Sequence, residues 1–212
     1  MLVQLLVDNS NSWIIPYAIK LKEKIIKQFS FSVNLIYKHE DVINGDVLCL
    51  LSCEKIFKKL HLNNYNLVVH ESDLPRGKGW SPLTWQILDG KNIIPITLFE
   101  ALEKVDAGKI YYKDYIKLSG DELLSEIKHK QGEKTIDLIL NFLADFNTIK
   151  GQIQVGESTF YRQRNYKDSE LNVDDTIRNQ FNLLRVCDNE RYPAYFILNG
   201  KKYLLKIEKH LL

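Results

Sequence analysis

Leu2-Val3-Gln4-Leu5-Leu6-Val7, followed by Asp8-Asn9-Ser10-Asn11-Ser12 and then by Ile14 to Phe29, decides the fold. The first run is apolar throughout, as expected of a strand buried on both faces of a sheet. The second is a polar loop rich in side chains that cap helices, and the third is read as a helix. This is a β-loop-α opening. Ser32 to Tyr37, Val47 to Leu51 and Asn66 to Val69 read as further strands, with Glu54 to Leu60 expected to be helical between the last two. Strand and helix alternate, so an α/β domain is expected, its sheet largely parallel and its helices on the sheet faces.

Beyond Val69 come a glycine-containing loop, a helix over Pro82 to Leu88, a strand over Ile93 to Leu98 and more β-type sequence over Lys109 to Leu118. Gly120 to Asp145 carries apolar residues at helical spacing. Gly132 is expected to interrupt them, giving one broken helix or two. The texture changes near Ile149. A short helix is expected near Asp174 to Leu184, then two β-like runs, Tyr195 to Leu198 and Lys202 to Ile207, joined by the hairpin dipeptide Asn199-Gly200. The expected division is an α/β domain over 1–148 and a small α+β module over 149–212.

A chain of 212 residues can bury one sizeable core with an appendage. Its 29 Lys and Arg against 27 Asp and Glu leave a net charge of +2, which marks no broad nucleic-acid surface. Cys49, Cys53 and Cys187 form no CxxC or zinc-like pattern, so reduced thiols and no bound metal are expected. The apolar run before Asp8 is too short for a signal peptide, and no run approaches the ~20 residues of a membrane helix. The expectation is a soluble, cytoplasmic protein with neither a membrane nor a nucleic-acid partner. Oligomeric state is left open.

The stretch richest in chemistry is His70-Glu71-Ser72-Asp73-Leu74-Pro75-Arg76-Gly77-Lys78-Gly79-Trp80-Ser81-Pro82. His70 falls at the carboxyl end of a strand, where open parallel sheets bind their ligands. Pro75, Gly77 and Gly79 allow a sharply bent loop whose backbone can approach a ligand closely. Taken singly, each residue has a structural reading as well: a satisfied histidine, two turn glycines, and tryptophans in a core or groove wall.

The run His-x-Ser-x-Leu-Pro-x-Gly-x-Gly resembles the signature of the folate-dependent formyltransferases. A second block agrees in order and separation: Ile96-Thr97-Leu98-Phe99-Glu100 and then Asp106-Ala107-Gly108-Lys109-Ile110 look like that family's strand and Asp-x-Gly-x-Ile loop. In the C-terminal part, Asn182-Leu183-Leu184-Arg185 and Tyr192-Pro193-Ala194-Tyr195-Phe196 are similar to elements of sugar-modifying members. Gly-Trp-Ser-Pro-Leu at 79–83 and Asp-Asn-Glu-Arg-Tyr-Pro-Ala at 188–194 resemble short nucleotide-sugar N-formyltransferases of bacterial pseudaminic-acid pathways.

The resemblance implies a Rossmann-like formyltransferase domain that moves a formyl group from 10-formyltetrahydrofolate to the amine of a UDP-linked 4-amino-4,6-dideoxy sugar. It implies His70 and Asp106 as the catalytic pair. Imidazole as a class exchanges protons around neutral pH, and a carboxylate beside it can hold one tautomer. Ser72 would support the loop. Leu74, Pro75, Gly77 and Gly79, with Glu103 and Val105 across the slot, would hold the folate. Arg162, Arg164 and Arg185 could clamp a diphosphate and Tyr192 could stack on uracil, although Arg162 and Arg164 equally fit a solvated charged face. Asn9 and Asn11 either meet sugar hydroxyls or cap the first helix.

One departure stands out. The family usually carries Asn two residues before the histidine, where this chain has Val68. A lost oxyanion donor costs roughly a hundredfold to a thousandfold in rate. Asn66 and Gln86 are the conceivable replacements. The remaining alternatives are a glycinamide-ribonucleotide or methionyl-tRNA formyltransferase, a formyltetrahydrofolate hydrolase, and an inactive folate- or nucleotide-binding module.

Overall fold

In the computed structural model, which describes residues 1–210, β1 (Leu2–Leu6) leads through the polar loop into α1 (Ile15–Phe29). Every β1 residue after Leu2 is buried, as its apolar run requires. α1 places Ala18, Leu21 and Ile25 on its inner face and ends at Ser30, whose left-handed backbone returns its N–H to the Ile26 carbonyl. The expected side-chain caps are absent. Pro16 occupies the first turn and Ile14 the cap position, while the loop's polar groups serve elsewhere.

β2 (Ser32–Ile36), β3 (Gly45–Leu50) and β4 (Asn63–His70) follow. The short β5 (Lys78–Gly79), α2 (Pro82–Leu88), β6 (Ile93–Glu100), β7 (Ile110–Lys117) and α3 (Leu124–Ala144) complete the body. The six-stranded sheet has the order β2-β1-β3-β4-β6-β7. The pairs β1/β2, β1/β3 and β3/β4 are parallel, whereas β4/β6 and β6/β7 are antiparallel. The fold is a mixed α/β, Rossmann-like one with a mostly parallel sheet. The main core lies between the sheet and the helices α1 and α3, around Leu5, Leu21, Ile25, Ile139 and Phe142.

Two expectations need correction. Glu54 to Leu60 is not a helix but an irregular loop ending in a turn at Leu60–Leu62. Only Phe57 buries its side chain there, joining Leu6, Ile36 and Leu48 beneath the sheet, while Ile56 is exposed; one anchor is not the apolar stripe a helix needs. Gly132 does not break α3, which is continuous. A Cβ at Gly132 would lie 2.4 Å from the ring of Tyr17, so the glycine lets α1 and α3 approach each other.

The C-terminal part adds β8 (Phe160–Tyr161), α4 (Phe181–Val186) and the hairpin of β9 (Ala194–Leu198) and β10 (Lys201–Leu205). Asn199 and Gly200 both have positive φ, as a two-residue hairpin turn demands. α4 starts later than expected, since Asn172 and Asp175 use their side chains to cap turns on neighbouring amides. Leu171, Leu184, Cys187 and Ala194 form its separate small core. No helix among the described residues is long and apolar enough to cross a membrane.

Candidate active site

His70 is the last residue of β4 and is 8% exposed. Its Nε2 lies 2.9 Å from the Gly77 carbonyl and 3.9 Å from Asp106 Oδ2. A carbonyl can only accept, so the neutral ring carries its proton on Nε2 and leaves Nδ1 as the basic nitrogen. The sequence assigned the orienting role to Asp106. In the structure the nearest orienting group is the loop carbonyl, while Asp106 Oδ2 accepts the Gly79 N–H at 2.9 Å. The carboxylate therefore fixes the loop and faces the imidazole at the same time.

The loop geometry explains the glycines. Gly77 and Gly79 have φ of +72° and +95°, and a Cβ on Gly79 would fall 2.4 Å from the Tyr161 carbonyl oxygen. β5 lies beside β8 there: Lys78 and Trp80 donate their N–H groups to Thr159 and Tyr161, and the Gly77 N–H reaches Thr159 Oγ1 at 2.8 Å. On the facing side, Gln154 Nε2 donates to the Asp106 and Gly108 carbonyls at 3.1 and 2.8 Å. Residues 151–161 thus cross back over the site. Gln154 and Thr159 escaped the sequence reading because they lie in a stretch without periodicity.

Ser72 is 1% exposed; its carbonyl accepts from Thr97 Oγ1 at 2.6 Å, and its own Oγ is buried without a hydrogen-bond partner. Leu74 and Pro75 are buried, and Leu74 packs with Val68, Phe99 and Ile110 in a small apolar cluster apart from the main core. Glu103 and Val105 are exposed on the opposite loop. Neither candidate replacement for the absent Asn is free. Asn66 Nδ2 is bonded to the Leu60 carbonyl at 2.9 Å, and Gln86 Nε2 to the Glu71 carbonyl at 2.7 Å.

Glu71 is a site residue that the sequence reading passed over, although a carboxylate directly after a strand-end histidine was itself a signal. Its Oε1 accepts from Gln131 Nε2 of α3 at 2.7 Å. Burial pushes its carboxyl above the usual range, against the opposing pull of His70.

The residues assigned to the acceptor are not gathered in one place. Arg185 is 1% exposed and is bonded to Asn182 and Asn92 at 2.8 and 2.7 Å, which makes it an internal cross-link and not a phosphate clamp. Arg162 forms a forked ion pair with Asp168 and lies 4.6 Å over the Trp85 ring. Arg164 donates to the Asp168 carbonyl. Tyr192 is exposed in a turn tied to α3 through Asp188 and Lys128. Asn9 donates to Glu54 and accepts the Asn11 N–H. Cys49 and Cys53 have their thiols pushed up to about 12 by burial, so they pack as apolar groups.

The sequence profile of the formyl transferase family matches residues 21–142, more than half of the chain. The chain belongs to the formyl transferase family. It is 27% identical over 172 residues to a methionyl-tRNA formyltransferase of Lactobacillus acidophilus, covering 80% of this chain and 54% of that protein. The chain therefore spans about half the length of that relative. The fold matches a sugar N-formyltransferase from Shewanella with a TM-score of 0.73 at 17% identity, over 100% of this chain and 99% of the other. It also matches HypX from Aquifex aeolicus, solved in complex with tetrahydrofolic acid, with a TM-score of 0.80 at 17% identity, over 97% of this chain and 37% of that one.

Proposed function

We propose that this chain is an N-formyltransferase that moves the formyl group of 10-formyltetrahydrofolate to the amine of a UDP-linked 4-amino-4,6-dideoxy sugar. One observation carries the reading. His70 and Asp106 face each other at 3.9 Å across a glycine loop whose backbone both of them hold, within a formyl transferase domain.

The residues fit a folate. Leu74 and Pro75 pack the glycine loop from within, Leu102 and Val105 expose apolar side chains on the Asp106 loop, and Ser72 Oγ is a buried polar atom without a partner. When bound, the folate supplies the formyl carbon and the nitrogen that leaves. His70 then moves a proton at Nδ1, the nitrogen not committed to Gly77. Asp106 Oδ2 faces the other ring nitrogen at 3.9 Å. With Val68 in place of a carboxamide, the protonated ring takes on more of the stabilisation of negative charge at the reacting oxygen. Asn11, exposed on the loop after β1, is the acceptor-side polar group least committed to the protein.

The methionyl-tRNA relative favours a second reading, tRNA as acceptor. Near-balanced charge argues for the sugar, because tRNA binding relies on a basic surface. The test is incubation with 10-formyltetrahydrofolate and, separately, UDP-4-amino sugars, glycinamide ribonucleotide and methionyl-tRNA, following tetrahydrofolate appearance. Turnover with the amino sugars is expected. Turnover with tRNA alone replaces the acceptor, formate release without any acceptor makes the chain a hydrolase, and binding without turnover overturns catalysis.

A further inference from the structure

Glu71 sits next to His70, and both its ends are gripped. Gln86 of α2 donates to its carbonyl and Gln131 of α3 donates to Oε1, each at 2.7 Å. The carboxylate also accepts from the backbone N–H of Glu71 itself, and apart from Gln131 no other residue among the described ones donates to it. Glu71 forms no ion pair with Lys or Arg among the described residues. The charged groups that act on it most are His70 and Asp106. A carboxylate withdrawn from water is costly unless a cation joins it. Here two glutamines hold the acid in place beside His70, and no Lys or Arg among the described residues pairs with it.

We propose that Glu71 receives the ammonium of the acceptor and removes its first proton. The inference rests on the formyl-transfer reading and adds to it the group that makes the amine nucleophilic. The protons balance as follows. The ammonium carries three. Glu71 Oε2 takes the first and later releases it to solvent. His70 relays the second to the folate nitrogen as the bond from the formyl carbon to that nitrogen breaks and the bond to the amine forms. The third remains on the formamide. A carboxyl raised by burial suits this task better than an ordinary surface glutamate, because its proton affinity lies closer to that of an amine.

The test is Glu71→Gln, which keeps the shape and an oxygen for Gln131, measured with whichever amine acceptor the wild-type protein formylates. At neutral pH, kcat/KM is expected to fall by about a hundredfold or more, with tetrahydrofolate affinity and melting temperature unchanged. As pH rises toward the acceptor amine's own pKa, the activity of Glu71→Gln should climb back tenfold per pH unit while the wild type stays flat. A second variant, Gln131→Leu, removes a hydrogen bond that stabilises the carboxylate and should move the acid limb of the wild-type pH profile upward. Turnover by Glu71→Gln equal to wild type, or a loss that is the same at every pH, overturns the proposal and leaves formyl transfer standing. Absence of wild-type turnover with every acceptor overturns both.

Discussion

His70 and Arg185 are each less than a tenth exposed, yet the polar clusters around them are built in opposite ways. Arg185 is consumed. Its Nε and Nη2 are bonded to Asn182 and Asn92, and Nη1, buried without a hydrogen bond, lies 3.7 Å from its counter-charge Glu122. Glu122 in turn accepts the N–H groups of Ser119 and Gly120 and the ammonium of Lys130. Around His70 the side chains are tethered mainly to backbone. Gly77 holds the ring, Gly79 holds Asp106, and Ser72 Oγ neither accepts nor donates. A cluster whose charges pair with one another fastens elements together. One whose groups are fixed in place but incompletely paired retains the capacity to bind and to exchange protons.

The sharpest way to break that contrast is His70→Asn. Formyl transfer should drop by about two to four orders of magnitude, while the urea midpoint stays near wild type. Loss of fold comparable to that of an Arg185 variant would show the His70 cluster to be structural. Arg185→Met is the mirror experiment. It leaves Glu122 buried with one fewer counter-charge and should cost about 3 kcal/mol or more of stability, read by urea unfolding, with the acceptor KM unchanged per folded molecule. A raised KM at undiminished stability would return Arg185 to the role of phosphate ligand.

The same cluster predicts an acid limit. Burial works against the charge on Glu122, but Lys130 and the surrounding N–H groups outweigh it and bring the carboxyl to about 2. A folded-state pKa below the unfolded value means stability that is present above the unfolded pKa. It is lost as pH falls from about 4.5 toward about 2. Urea midpoints taken across that window should fall, and in Glu122→Gln the decline should be visibly shallower. An identical slope in both proteins would mean that the charge on Glu122 contributes nothing to the fold.

Most of the sheet was legible because strand identity depends on apolar runs that are local in sequence, and β1, α2 and the Asn199-Gly200 hairpin fall within a residue or two of their expected places. The His70 loop and the Asp106 loop were legible for a different reason, their family-like residue order. What stayed hidden depends on contacts remote in sequence. Arginine reads as a surface phosphate ligand until Asn92, 93 positions away, is seen to hold Arg185 inside. Gln154 and Thr159 are ordinary polar residues until the chain folds back across Asp106 and Gly77. The antiparallel turn of β6 was equally hidden, since pairing direction leaves no mark on an apolar run.

Gly132 gives the smallest effect and the finest test, because two opposing terms meet at one atom. In an isolated helix, replacing an interior glycine by alanine stabilises by roughly 1 kcal/mol. In α3 the new methyl would lie 2.4 to 2.7 Å from three carbons of the Tyr17 ring, and overpacking of that kind costs typically 1–3 kcal/mol. The ring cannot simply swing aside, because Trp13 packs edge-on against it at 5.9 Å and its hydroxyl lies 3.2 Å from His129 Nδ1. Gly132→Ala in the wild type should therefore be destabilising, by up to about 2 kcal/mol once the helical gain is subtracted. In a Tyr17→Ala background the clash is gone and only the helical gain remains, so the same substitution should turn stabilising by up to about 1 kcal/mol. The reversal of sign is the decisive measurement: the same sign in both backgrounds would mean that α1 and α3 do not meet through this glycine.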